Sequence, residues 1–319
     1  MFRGIQFIRP DTRIDFMRPR RVFFALSAVM LVGSILLVAL KGLNFGIDFA
    51  GGILMEVRTE APADLAEMRS KLSDLGLGEV SLQEFGGPRD VLIRLQRQEG
   101  DEAAQVRAIE VVKETLGENV EYRRTEFVGP TVGAELVRDA VIAIVLAMIG
   151  IMIYIWFRFE WQFAINAIIA LFHDVITTVG LYSLLGLEFN LTSVAAILTV
   201  AGYSINDTVV VYDRVREELR RYKTMPLPDL INLAVNKTLS RTIMTGGSVL
   251  LVLIVLYFFG GETLSGFSLA LIWGVLIGTY STICVAGPML IFFHLRRRGD
   301  TAPAKATGAA AADSPGPGD

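Results

Sequence analysis

Long apolar runs separated by short polar turns fill most of this chain. Six of them, residues 22–40, 137–157, 164–185, 191–212, 242–259 and 267–293, suit helices crossing a hydrocarbon core of about 30 Å, which takes roughly 20 residues. A different periodicity occupies the stretch between the first two. Residues 52–60 read as a strand rich in Ile, Leu and Val, and residues 64–75 put Leu65, Met68, Leu72 and Leu75 on one helical face. Two strands, 80–85 and 90–96, flank the turn Gly86-Gly87-Pro88, and the second alternates Val91, Ile93 and Leu95. Residues 101–116 form a second amphipathic helix through Val106, Ile109, Val112 and Leu116, and residues 119–127 close as a strand. The order βαββαβ predicts an α+β ferredoxin-like unit, large enough at about 80 residues to bury one modest core.

Orientation follows from Lys and Arg near the span ends. Residues 1–21 carry six arginines, residues 213–241 carry seven Lys/Arg, and the tail begins Arg296-Arg297-Arg298. The short connections 186–190 and 260–265 carry none. Both termini are therefore expected in the cytoplasm, with Trp156 and Trp161 as interfacial anchors around Arg158. The first span follows Arg18, Arg20 and Arg21, but its apolar run exceeds that of a signal peptide and no small-x-small site follows Leu40, so it reads as an uncleaved anchor. The expected divisions are a cytoplasmic segment 1–21, a first span 22–40, an external unit 41–136, a five-span bundle 137–295 and a disordered tail 296–319. The loop 213–241, with Leu230, Ile231, Leu233, Ala234 and Leu239, reads as an amphipathic surface helix.

Composition changes the picture less than its distribution does. The chain is 52% hydrophobic and 20% charged, with a net charge of −3 that argues against nucleic-acid binding. Residues 42–136 hold 10 basic and 18 acidic residues, a net −8, so the rest of the chain carries +5. One cysteine, Cys284, allows no internal disulfide, and two histidines allow no Cys/His metal cluster, so no metal or cofactor is expected.

Ionisable groups inside apolar spans cost about 2.5–3.5 kcal/mol each on insertion scales and call for a reason. Asp174 lies ten residues into the third run and Asp207 six residues before Asp213 in the fourth. His173 precedes Asp174, but neighbouring helix positions diverge by about 100°, so the two are not expected to face one partner. Ser193, Ala196, Val200, Ser204 and Asp207 share one stripe. Arg241 opens the fifth run at a depth similar to that of Asp207, which makes an ion pair geometrically reasonable. The plain alternatives are an arginine snorkelling to the interface and aspartates serving as hydrogen-bonding glue. Two carboxylates and an arginine on consecutive spans also suit a proton path. In the sixth run Ala270, Gly274, Gly278 and Thr282 recur every fourth residue, a spacing that permits close helix contact. Cys284 reads as inert core.

Several ordered motifs resemble the SecF proteins of the SecD/SecF protein-export family, in the resistance-nodulation-division superfamily. After the first span comes Gly46-Ile47-Asp48-Phe49-Ala50-Gly51-Gly52, and before the second Val128-Gly129-Pro130-Thr131-Val132-Gly133. Leu171-Phe172-His173-Asp174 lies in the third. The longest runs Gly202-Tyr203-Ser204-Ile205-Asn206-Asp207-Thr208, then Val209 to Tyr212, then Asp213-Arg214-Val215-Arg216-Glu217, and Arg241-Thr242 begins the fifth. The resemblance covers roughly residues 18–294 and departs at Glu218, where the family often has Asn. It implies half of a twelve-helix unit formed with SecD, associated with the SecYEG translocon and YidC in the bacterial inner membrane. That unit uses the proton-motive force to help preproteins cross. Asp207 and Arg241 fall on the family's proton-conducting pair and Asp174 on the His-Asp motif; His173, Gly202, Tyr203, Ser204, Asn206, Thr208, Asp213 and Arg214 support it. Gly46, Asp48, Gly51, Gly52, Gly129, Pro130 and Gly133 fall on the external hinge motifs. H⁺ and Na⁺ both stay open as the coupling ion. Two other classes share buried carboxylates. A small-molecule transporter of the same superfamily should have about twelve spans, and an intramembrane aspartyl protease expects Gly-x-Gly-Asp, where this chain has Ser204-Ile205-Asn206-Asp207.

Overall fold

The computed structural model of the chain describes residues 12–78, 80–98, 100, 102–117 and 120–293. The expected tail and the start of the N-terminal segment lie outside the described residues. Among the described residues, six helices are long and apolar enough to cross a membrane, so this is a multi-pass membrane protein. They are α1 (Arg20–Lys41), α5 (Pro130–Arg158), α6 (Trp161–Leu185), α7 (Leu191–Arg221), α8 (Leu227–Phe259) and α9 (Glu262–Ser281), the last continued by a π-helical turn Thr282–Ala286. α6, α7 and the sixth span are the most enclosed, whereas α1, α5 and α8 leave much apolar surface outward. In lipid that surface needs no further cover.

Between α1 and α5 lie β1 (Asn44–Phe45), α2 (Ile47–Ala50), β2 (Gly52–Thr59), α3 (Leu65–Ser73), β3 (Val80–Glu84), β4 (Asp90–Leu95), α4 (Glu102–Leu116) and β5 (Val120–Val128). The four longer strands form one sheet in the order β3-β4-β2-β5, antiparallel throughout. Alternation along the strands divides the sheet. Ile53, Met55, Val57, Val91, Ile93 and Leu95 meet Met68, Leu72, Ala108 and Val112 of α3 and α4 in one core. Leu54 and Leu92 point the other way and pack with Ile47 of α2. Asp64 caps α3, its side chain accepting from the amides of Ala66 and Glu67 at 3.0 Å.

Two features depart from the sequence reading. Residues 213–241 hold no separate surface helix: α7 continues to Arg221, α8 starts at Leu227, and only residues 222–226 turn between them. Of the apolar residues expected at the membrane surface, Leu230, Ile231, Ala234 and Leu239 are buried instead and Leu233 is half-buried. Leu230, Ile231, Ala234 and Val235 pack on Val211, Tyr212, Val215 and Ala286 in the largest core. The second departure is a pair of two-residue strands, β1 and β6 (Glu188–Phe189), which run parallel and join the α1 exit to the α6–α7 turn.

Small residues set the helix spacing. A Cβ on Gly274 of α9 would come within 2.1 Å of Val200 on α7, and one on Gly278 within 3.1 Å of Ser204. A Cβ on Gly180 of α6 would meet Ser34 of α1 at 2.2 Å. Any larger side chain at Gly274 must separate α7 from α9.

Candidate functional site

Three helices close around Asp174, which is fully buried. Its Oδ2 accepts from Ser204 of α7 at 2.5 Å and from Ser281 of α9 at 2.7 Å. Its Oδ1 lies 3.0 Å from Nδ1 of His173. Adjacent positions do diverge, as expected, yet both side chains reach α9: His173 lies against the ring of Tyr280 while Asp174 meets Ser281. Behind Asp174, Thr177 and Thr178 donate to its backbone carbonyl at 3.1 and 2.7 Å. One turn along, Thr208 of α7 and Thr282 of the π-helical turn share a hydrogen bond of 2.8 Å.

Past the π-helical turn the backbone tightens. Leu290 donates to Gly287 in a 3₁₀ turn (Leu290–Phe292) rather than back to Ala286. The carbonyl of Ala286 is thereby available, and buried Asn166 of α6 donates to it at 2.7 Å.

Asp207 has a thinner environment. Its Oδ1 accepts from Thr242 of α8 at 2.7 Å, and its Oδ2 is buried without a hydrogen-bond partner among the described residues. The expected ion pair with Arg241 is not closed, since among the described residues no ion pair joins the two. Helical twist is the reason: Thr242, not Arg241, occupies the face of α8 turned to α7. Arg241 stays close enough for its charge to act on Asp207, but its side chain is exposed. Asn206, Gly202, Thr245 and Ser248 are exposed on the same flank. Tyr203 is half-buried, with its hydroxyl 3.6 Å from where a Cβ on Gly246 would sit.

Asp213 and Arg214 sit away from both carboxylates. Asp213 pairs with Arg158 of α5 at 2.7 Å, and Arg214 reaches Glu217 and Glu218. Glu218 is fully buried and also accepts from Lys237 of α8 at 2.7 Å. The sequence offered only its position near a span end, and nothing there predicted burial. Sequence reasoning also missed Ser281, whose signal was the polar cluster Thr279, Ser281 and Thr282 in an otherwise apolar run.

The glycine motifs gather at the opposite end of the bundle. Gly51 and Gly52 take φ of 70° and 117°, which only glycine adopts freely, and a Cβ on Gly52 would stand 2.6 Å from the carbonyl of Leu95. Gly129 precedes α5 as its N-cap and Pro130 opens the helix at a position where no amide is needed. A Cβ on Gly133 would approach the carbonyl of Phe49 to 3.2 Å. Asp48 accepts from the first amide of α7, that of Leu191, at 3.0 Å.

Six membrane-length helices, an α/β unit inserted after the first, and buried carboxylates on the third and fourth define a polytopic membrane protein built around an ionisable core. Residues 108–296 match the family described as "Protein export membrane protein SecD/SecF, C-terminal", and residues 37–63 match the SecD/SecF GG motif. The Protein translocase subunit SecF of Rickettsia bellii (strain OSU 85-389) is 45% identical over 88% of this chain and 93% of its own length. The same subunit of Rhodobacter capsulatus is 43% identical over 92% of each. The chain belongs to the SecD/SecF family of protein-export membrane proteins. Among solved structures, SecDF of Thermus thermophilus, a translocon-associated membrane protein, superposes with a TM-score of 0.82 at 36% identity over 89% of this chain. SecDF in a super-membrane-facing form gives 0.66 at 37% identity over 88%. The chain spans 39% of the length of either SecDF chain.

Proposed function

We propose that this chain is the SecF half of a SecD–SecF unit that uses the proton-motive force to assist protein translocation across the bacterial inner membrane. On this reading the α/β unit is a ferredoxin-like domain outside the membrane and both termini are cytoplasmic. SecYEG, YidC and the emerging preprotein are its partners. The observation that carries the proposal is Asp207: a buried carboxylate with one oxygen unpartnered, a hydroxyl on the other, and an exposed arginine nearby. A carboxylate there needs a proton or a counter-charge. Protonation exchanges one for the other, with Arg241 closing on the ionised form and releasing the neutral one.

Exposed Arg241 and Asn206 at membrane depth also support a partner. A charged side chain facing lipid is costly, and a second bundle, that of SecD, would cover this flank. Asp174 is a second candidate proton site, better enclosed than the first. The two SecDF forms have nearly equal identity and coverage but unequal TM-scores, which supports a fold whose parts move relative to one another. One charge crossing the membrane is worth about 2.3 kcal/mol per 100 mV, enough to bias states a few kcal/mol apart. The separate partners of Asp174 and Asp207 speak against a shared aspartyl-protease dyad.

Asp207→Asn tests the proposal. Assembly with SecD should survive while proton-dependent export in reconstituted vesicles is lost. Wild-type proton-coupled export by that variant would sink the assignment.

A further inference from the structure

The α/β unit enters the membrane bundle covalently at two places, and neither connection is part of α7, the helix that carries Asp207. Its N-terminal connection runs from α1 through α2, and its C-terminal one from β5 into α5. Glycines mark both corners, Gly51-Gly52 on one side and Gly129 on the other. Such corners permit rotation, and α1 and α5 lie at the edge of the bundle. α7 has no covalent tie to the α/β unit.

Side chains supply that tie. Arg94 projects from β4 on the face away from α3 and α4, and pairs with Glu188 in the α6–α7 turn. The pair is largely withdrawn from water, at 16% and 26% side-chain exposure, so it is less screened than an ordinary surface pair. Arg94 also donates to Asn44 at 3.1 Å, and Asn44 donates to the carbonyl of Gly186 at 3.1 Å. Glu188 is stiffly joined to α7. Ser193 donates to its carbonyl at 3.0 Å, and Asn190 and Ser193 cap the helix reciprocally. Asp48 holds the first amide of α7 from the root of the α/β unit. From Leu191 to Asp207 the helix is unbroken over 16 residues, about 24 Å.

We propose that Arg94 and Glu188 are positioning residues that clamp the α/β unit to the first turn of α7, so that a displacement of α7 at Asp207 turns the sheet. The clamp adds a link to α7 beside the covalent ones to α1 and α5, with the glycine corners as the points about which the unit turns. The inference rests on the proposed role of Asp207 for the direction of coupling, and on geometry alone for the clamp.

Spin labels at Glu84→Cys on β3 and Phe259→Cys at the end of α8, in a Cys284→Ser background, would report the distance between unit and bundle in the full chain assembled with its partner. With Asp207 intact, Glu188→Gln should broaden the distance distribution, and the exchange R94E/E188R should narrow it again. Asp207→Asn should shift the distance when the pair is intact or exchanged, and leave it unshifted in the Glu188→Gln background. An unbroadened distribution in Glu188→Gln overturns the clamp, whatever the protons do. A shift that persists in Glu188→Gln overturns transmission through it. If Asp207→Asn causes no shift with the pair intact, transmission fails together with the proton reading, and the breadth measurement alone then decides the clamp.

Discussion

Two buried carboxylates of the span interior, Asp174 and Asp207, differ in what surrounds them more than in how deeply they lie. Asp174 has both oxygens engaged, by two serines from different helices and a histidine. Asp207 has one oxygen engaged by a single threonine. A saturated buried carboxylate organises three helices and is costly to disturb. A half-satisfied one beside an exposed cation keeps a place open for change. The same residue type thus holds the bundle together at one site and leaves it adjustable at the other.

Substitutions can break that contrast. Asp174→Ala strands the Ser204 hydroxyl and His173 in the interior, while Ser281 keeps the carbonyl of Gly278, and should cost at least about 2 kcal/mol at roughly 1–3 per stranded group. Thermal unfolding of the purified complex in detergent would show it, and Asp174→Asn, which keeps an acceptor, should lose much less. Equal losses for the two would mean that the hydrogen bonds are not what Asp174 contributes. Gly274→Leu should cost about 1–3 kcal/mol by forcing α7 and α9 apart, read in the same melts. Asp207→Ala gives up one hydrogen bond and should lower stability by only about 1 kcal/mol while removing proton-coupled export. A large stability loss there would erase the difference between the sites.

The smallest expected effect lies outside the membrane. Arg58 donates two hydrogen bonds to Asp90, at 2.6 and 2.7 Å, and holds its carboxyl below the usual aspartate range. A carboxyl depressed on folding stabilises above its unfolded value, about 3.9, and that contribution disappears as pH falls through the folded value. Protection factors in β2 and β4, taken relative to the intrinsic exchange rate at each pH, should therefore fall below about pH 4 in the wild type, and Arg58→Ala should already be less protected at neutral pH. Identical exchange in both proteins would show the pair to be idle.

Much of this arrangement could be read from the sequence, for identifiable reasons. The six spans are long runs of one kind of residue, and the α/β unit follows local periodicities that its core then uses, Val91, Ile93 and Leu95 among them. The strands pair in the order β3-β4-β2-β5, a spatial order that local periodicity does not state. What could not be read depends on rotation and distant contact. One residue of helical twist decides between Arg241 and Thr242 as the partner of Asp207. The pairing of Asn44 with Glu188 joins segments 144 positions apart through strands of two residues, too short to leave a pattern. Residues 227–241 looked interfacial because their apolar face is real, but it meets α7 and the sixth span rather than lipid.

The seam where Gly274 and Gly278 meet Val200 and Ser204 limits how this machine can work. Two helices already touching backbone to side chain have no slack, so α7 and α9 must travel as one rigid body. Ser204 and Ser281 ride on that body together, so Asp174 of α6 holds or releases both hydroxyls at once. The joint between α7 and α8 at Asp207 is lighter, resting on one hydroxyl, that of Thr242.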